Sequence, residues 1–124
     1  MRHEPRKWDK YYNDKQYLDA KKLYDTLIVI DSNKDKYYFR RGVCKTHIQD
    51  YIGAKNDYLK TINMKSENEK RAYLNMGTLY RFFGMYDSAM YYYNQSIKLD
   101  SNYAKAKEER DELNNLLKEL KTAK

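Results

Sequence analysis

Cysteine is almost missing from this chain: Cys44 is the only one, so no intrachain disulfide framework can staple the fold. A lone thiol suits a reducing compartment. Long apolar runs are missing too. The aliphatic run Leu27 to Ile30 is far too short to span a bilayer, and the N-terminus lacks the apolar core of a secretory signal. The expectation is a cytoplasmic protein with no membrane partner. There are two histidines, His3 and His47. Cys44 and His47 lie three apart and could share a helix face, but two ligands do not make a metal site. No phosphate loop, dinucleotide fingerprint or nucleophile elbow occurs. Paired acids such as Glu108 and Glu109 read as a solvated face. We therefore expect no catalytic residues, no metal and no cofactor: a protein that is not an enzyme.

What the chain does have is charge and tyrosine. The formal charge is +7, the pI about 9.3, and fifteen of the 124 residues are Tyr. Mean hydropathy is low at −1.11, a composition that would suit disorder were the apolar residues scattered. They are not scattered. Between Lys70 and Asn102, Tyr73, Met76, Gly77, Tyr80 and Phe83 recur at helical intervals, Gly84 marks a break, and Tyr86, Ala89, Met90, Tyr93 and Ile97 again share a face. Asp100-Ser101-Asn102 then closes the unit with residues that favour turns and caps. Such a hairpin has two sticky faces and needs neighbours to cover them.

The chain supplies those neighbours. Ala20, Ala54 and Ala89 are spaced 34 and then 35 residues, and the same shift aligns Tyr17, Tyr51 and Tyr86, then Tyr24, Tyr58 and Tyr93. Gly42 and Gly77, like Tyr38 and Tyr73, are 35 apart. A period of about 34 residues is that of stacked helix-turn-helix repeats. Most of the tyrosines fall in these columns, so they are core first, with hydroxyls reaching the rim.

On these residues the chain resembles a tetratricopeptide-repeat domain. The third unit carries the pattern most fully, with Tyr73, Gly77, Tyr80, Gly84, Tyr86, Ala89, Tyr93, Ser96, Leu99 and Asp100. The second keeps Tyr38, Gly42, Tyr51, Ala54, Tyr58 and Met64 but has Lys45 and Gln49 where Tyr and Gly belong. The first keeps Tyr11, Tyr17, Ala20, Tyr24, Ile30 and Asp31, with Trp8 in place of a small residue. Ser32, Ser66 and Ser101 replace the family's closing proline, which implies a softer turn. The resemblance implies an all-α, right-handed α-solenoid of about three helical hairpins plus a C-terminal capping helix. It would be one domain over 1–124, with units at about 1–34, 35–69 and 70–103.

An opening helix near Pro5 should leave the first unit thinly covered. Trp8 then acts as a plug or recruits another copy as a homo-oligomer contact. The closing helix, about 103–121, should turn Tyr103, Ala106, Leu113, Leu116, Leu117 and Leu120 inward. Its charges, Lys105, Lys107, Glu108, Glu109, Arg110 and Glu112, should mostly face solvent.

In this family the first helix of each hairpin lines the concave groove. Carried onto this sequence, the groove residues are Lys36, Phe39, Arg40, Val43, Thr46 and His47, then Arg71, Leu74, Asn75, Thr78, Arg81 and Phe82. Arginine suits carboxylate capture, Asn75 could pair with an extended backbone, and Phe39, Leu74 and Phe82 could receive apolar side chains. The family's carboxylate-clamp pattern is not met: Pro5, Asp9, Arg40, Arg71 and Asn75 stand at its places, and Arg71 alone is a near match. The implied function is a scaffold, adaptor or co-chaperone-like module binding a protein or peptide partner, an acidic one given the charge. Two alternatives differ in class. One is a basic helical repeat binding nucleic acid, of the pentatricopeptide kind that reads single-stranded RNA; the other is a self-associating structural fragment.

Overall fold

The computed structural model describes residues 14–123, so the expected opening helix and Trp8 lie outside the described residues. Where the helices stop is decided by a few turn residues. Six helices occur among the described residues, and no strand: α1 (Asp14–Ile30), α2 (Asp35–His47), α3 (Tyr51–Asn63), α4 (Glu69–Phe82), α5 (Tyr86–Leu99) and α6 (Ala104–Thr122). The chain groups into two compact units, one running to Thr61 and the other beginning at Ile62. The first holds α1, α2 and most of α3; the second holds α4, α5 and α6.

The turns after α2 and α4 are the same motif built from different residues. After α4, Gly84 takes φ +75°. Its N–H donates to the Arg81 carbonyl (2.9 Å), and the Met85 N–H reaches back to Tyr80 (2.9 Å). After α2, Gln49 takes φ 68° in the same place. Its N–H donates to Thr46 (3.1 Å), and the Asp50 N–H donates to Lys45 (2.8 Å). Both are Schellman closures, which satisfy the last carbonyls of a helix. A left-handed conformation costs a residue with a Cβ about 1–2 kcal/mol, so Gln49 carries a strain that Gly84 avoids. Its neighbour offsets this. Asp50 caps α3 by accepting the Gly53 N–H (3.0 Å), worth about 1 kcal/mol, whereas Met85 offers α5 no side-chain cap.

The missing prolines are replaced by side-chain turns. Asp31 accepts the Asn33 N–H (3.1 Å) and Asp100 accepts the Asn102 N–H (3.0 Å), two Asx turns at equivalent joints. Lys65 instead enters the left-handed region, φ 54°, and the Ser66 hydroxyl accepts the Asn68 N–H (3.2 Å).

Within each unit a tyrosine lies across a glycine. A Cβ on Gly77 would come within 2.6 Å of the Tyr93 ring, and one on Gly42 within 2.8 Å of Tyr58. That approach lets α4 and α5, and likewise α2 and α3, close on each other. In the second unit Tyr93 is wholly buried with Leu74, Ala89, Ala106 and Leu113; Tyr80, Tyr86, Met90, Ile97, Tyr103, Leu116 and Leu117 pack around them. The inward stripe of α6 is therefore as expected up to Leu117. Leu120 is 47% exposed, near the end of an α6 that, at 19 residues, outruns the 14 of α5. Glu109 also departs from the expected solvent face: it is largely covered and paired with Arg81 (3.4 Å).

Candidate functional site

The residues expected to line a groove meet different fates, and the division follows what packs beside them. In the first unit, Arg40 and Val43 open on a cavity of about 500 Å3 whose other walls, among the described residues, are Tyr17, Ala20, Tyr24 and Cys44. That volume lies in the range of ligand pockets, about 300–1,000 Å3. Arg40 is exposed and has no ion-pair partner among the described residues. Its neighbours differ. Lys21 binds Asp25 (2.9 Å), Arg41 binds Asp25 (3.0 Å) and Asp57 (2.7 Å), and Lys45 binds Asp57 (3.1 Å). Hydrogen bonding to Asp57 raises the Arg41 guanidinium still further above its already high value. It is a fixed structural cation; Arg40 is an available one.

His47 lies two turns along from Arg40 on α2. Its ring stacks on Tyr17 with centroids 3.9 Å apart and planes 5° from parallel. The side chain keeps an exposed edge, and the burial of the rest lowers its proton affinity below the ordinary value. Burial also raises the Cys44 thiol, which keeps it protonated and a poor nucleophile. Phe39 is half-buried, its ring 5.9 Å from that of Tyr58. Lys36 is exposed, with its ammonium 5.9 Å from the Tyr37 ring. Thr46 turns inward: its hydroxyl lies 2.9 Å from the Gly42 carbonyl and 3.2 Å from the Tyr58 hydroxyl.

The α4 residues are more scattered. Leu74 was expected to receive a guest's apolar side chain, but it is 6% exposed and belongs to the core that α6 closes. Arg81 is occupied by Glu109 (3.4 Å) and Glu112 (3.6 Å) of α6. Arg71 is exposed and Asn75 half-buried. Thr78 is exposed, donates to the Leu74 carbonyl (3.2 Å), and meets the buried Tyr93 hydroxyl at 3.4 Å. Phe82 is 68% exposed and stands edge-on to Phe83. The residues that sequence reasoning did not assign to a site are Tyr17, Ala20, Tyr24 and Cys44. All four occupy packing columns of the repeat, and only the structure reveals their open side.

No protein-family model matches the sequence, and no curated protein matches it. Among solved structures, the chain is similar to the type III secretion chaperone SycD of Yersinia enterocolitica in complex with a peptide of the translocator YopD. The TM-score is 0.71 and the identity 21%, over 92% of this chain and 86% of that one. It is similar also to the translocator chaperone SycD of the same organism described without that peptide, with TM-score 0.70 and identity 21%, over 92% and 78% of the two chains. The fold is a tetratricopeptide-like helical repeat. The neighbours bear on fold and go no further. Among the described residues, no group of three or more His, Cys, Asp or Glu could hold a metal ion, and no helix is long and apolar enough to cross a membrane.

Proposed function

We propose that this chain is a non-enzymatic interaction module that binds a segment of a partner protein along α1 and α2. One observation carries the reading: Arg40 and Val43 open on an apolar cavity walled by two tyrosines, with a guanidinium at its edge that nothing within the described chain neutralises. A partner's apolar side chain would fill the space, and an acidic neighbour would meet Arg40. The fold neighbour in complex with a translocator peptide lends support by analogy of fold. The module would act as an adaptor or chaperone, holding an apolar segment that would otherwise stay exposed.

Titration of the intact protein with a peptide recovered from a displayed library tests this. Arg40→Glu and Val43→Asp should each weaken binding at least tenfold (about 1.4 kcal/mol) with the helical spectrum unchanged. A peptide that binds both variants as well as the parent would refute the assignment.

A further inference from the structure

Two cavities open along the seam of α1 and α2, and the Tyr17–His47 stack stands between them: Tyr17 walls one and His47 the other. The second measures about 470 Å3 and is lined by Lys15, Leu18, His47, Ile48 and Gln49. Among the described residues its charged and titratable lining is basic. Lys15 is exposed and makes no ion pair among the described residues, even with Asp19 one turn along. Asp14 and Asp50 are the acids adjacent in sequence to the lining, and Asp50 already accepts the Gly53 N–H.

The helix end beside this cavity is blunted as well. The carbonyls of Cys44, Lys45 and Thr46 are taken by the N–H groups of Ile48, Asp50 and Gln49, so α2 presents few bare oxygens that would repel an anion. Gln49 itself holds a left-handed backbone where the equivalent turn uses Gly84. Gln49 is one of the lining residues, which brings an amide side chain to this cavity.

We propose that this second cavity is a carboxylate subsite. It takes an aspartate or glutamate side chain of the same extended partner segment whose apolar residue fills the Arg40 cavity. Lys15 is the counter-charge and the Gln49 amide the hydrogen-bond donor. The assignment rests on the peptide-binding reading above. Leu18 and Ile48 in the lining lower the local polarity, which strengthens the pairing of Lys15 with its guest.

The test is a dodecapeptide library displayed with no free C-terminus and panned against the intact protein. Selected sequences should carry an apolar residue and an acidic one at a fixed spacing. The synthetic winner should bind Lys15→Ala and Gln49→Gly at least tenfold more weakly than the parent. Replacing its acid by the amide should then cost little more in either variant, since the coupled partner is already gone. Gln49→Gly is the decisive variant: glycine relaxes that turn, so lost binding cannot come from a damaged fold. If the winner binds both variants as tightly as the parent, or carries no acid, the subsite is overturned and the peptide-binding reading stands. If the parent selects no peptide at all, both fall together.

Discussion

The hairpin of α2 and α3 and the hairpin of α4 and α5 share a backbone plan but fill their seams with opposite chemistry. Residues 35 apart correspond: Arg41 with Met76, Lys45 with Tyr80, Asp57 with Tyr92. In the first unit these make an ionic seam in which Asp57, 5% exposed at its side chain, receives Arg41 through two nitrogens (2.7 and 2.8 Å) and Lys45 (3.1 Å). In the second they make an aromatic seam. Tyr92 stacks on Tyr80 at 5.4 Å and on Tyr73 at 6.2 Å, with Tyr91 edge-on at 5.1 Å, and Met76 is fully buried. One scaffold thus accepts a charged triad or a methionine with two stacked tyrosines at the same three places. What both keep is the glycine–tyrosine contact beneath, and that contact defines the hairpin.

If so, the largest effects should come from the shared contact. Tyr93→Ala and Tyr58→Ala should each cost about 3–5 kcal/mol in urea unfolding, because each empties a buried ring site beside a glycine that cannot refill it. A large loss at Tyr93 and a trivial one at Tyr58 would mean that the ionic seam, and no ring, holds the first hairpin.

The seams themselves come next. Asp57→Ala leaves Arg41 with Asp25 alone and Lys45 unpaired, at a cost of about 3 kcal/mol. Transplanting the aromatic set, Arg41→Met with Lys45→Tyr and Asp57→Tyr, should instead be neutral or stabilising by about 1–3 kcal/mol, since no buried charge is left behind. Denaturation midpoints of the single and triple variants decide it; a triple variant weaker than Asp57→Ala would show that the seams are not interchangeable.

The turns differ by less. Gln49→Gly should stabilise by about 0.5–1 kcal/mol and the reciprocal Gly84→Gln should destabilise by about 1 kcal/mol, read from the same midpoints. Equal midpoints for parent and Gln49→Gly would mean that the strain is relieved elsewhere.

Acid should touch the ionic seam with the smallest effect. Burial alone would raise the Asp25 carboxyl, but hydrogen bonds from Lys21 and Arg41 outweigh it and hold it below its usual 3.8. A carboxyl lowered by folding contributes fully above its unfolded value and loses that contribution as pH falls through the folded one. The first unit should therefore weaken below about pH 4, and Arg41→Met should flatten that limb. Met76→Leu in the aromatic seam should leave it unchanged. Asp100 is lowered too, chiefly by Lys70, but it belongs to a joint and to neither seam.

Much of this architecture was readable before any coordinates. The Gly42–Tyr58 and Gly77–Tyr93 columns mark the contacts that bring helices together, and Gly84 marks its own turn. Lys45 and Gln49 stood out only as departures from the pattern. That Lys45 answers Asp57 depends on a register across the hairpin that single positions do not disclose. That Gln49 keeps a glycine's backbone is equally invisible, because the compensation lies in Asp50. The groove residues carried over from the family assumed an open α4. Leu74 is covered by α6 and Arg81 is paired with it, a tertiary effect with no local signature. The openings beside Tyr17 and His47 depend on how two helices lean together, which spacing alone cannot supply.

The tyrosine that crosses Gly77 has one more property. Its ring sees no solvent, yet its hydroxyl meets that of Thr78, an exposed residue. The phenol is shielded, oxygen included, and the Thr78 hydroxyl links it to the surface. Any molecule that engages Thr78 would tug on that oxygen and tint the near-ultraviolet absorption of a deeply shielded chromophore, giving the protein an internal indicator that needs no dye.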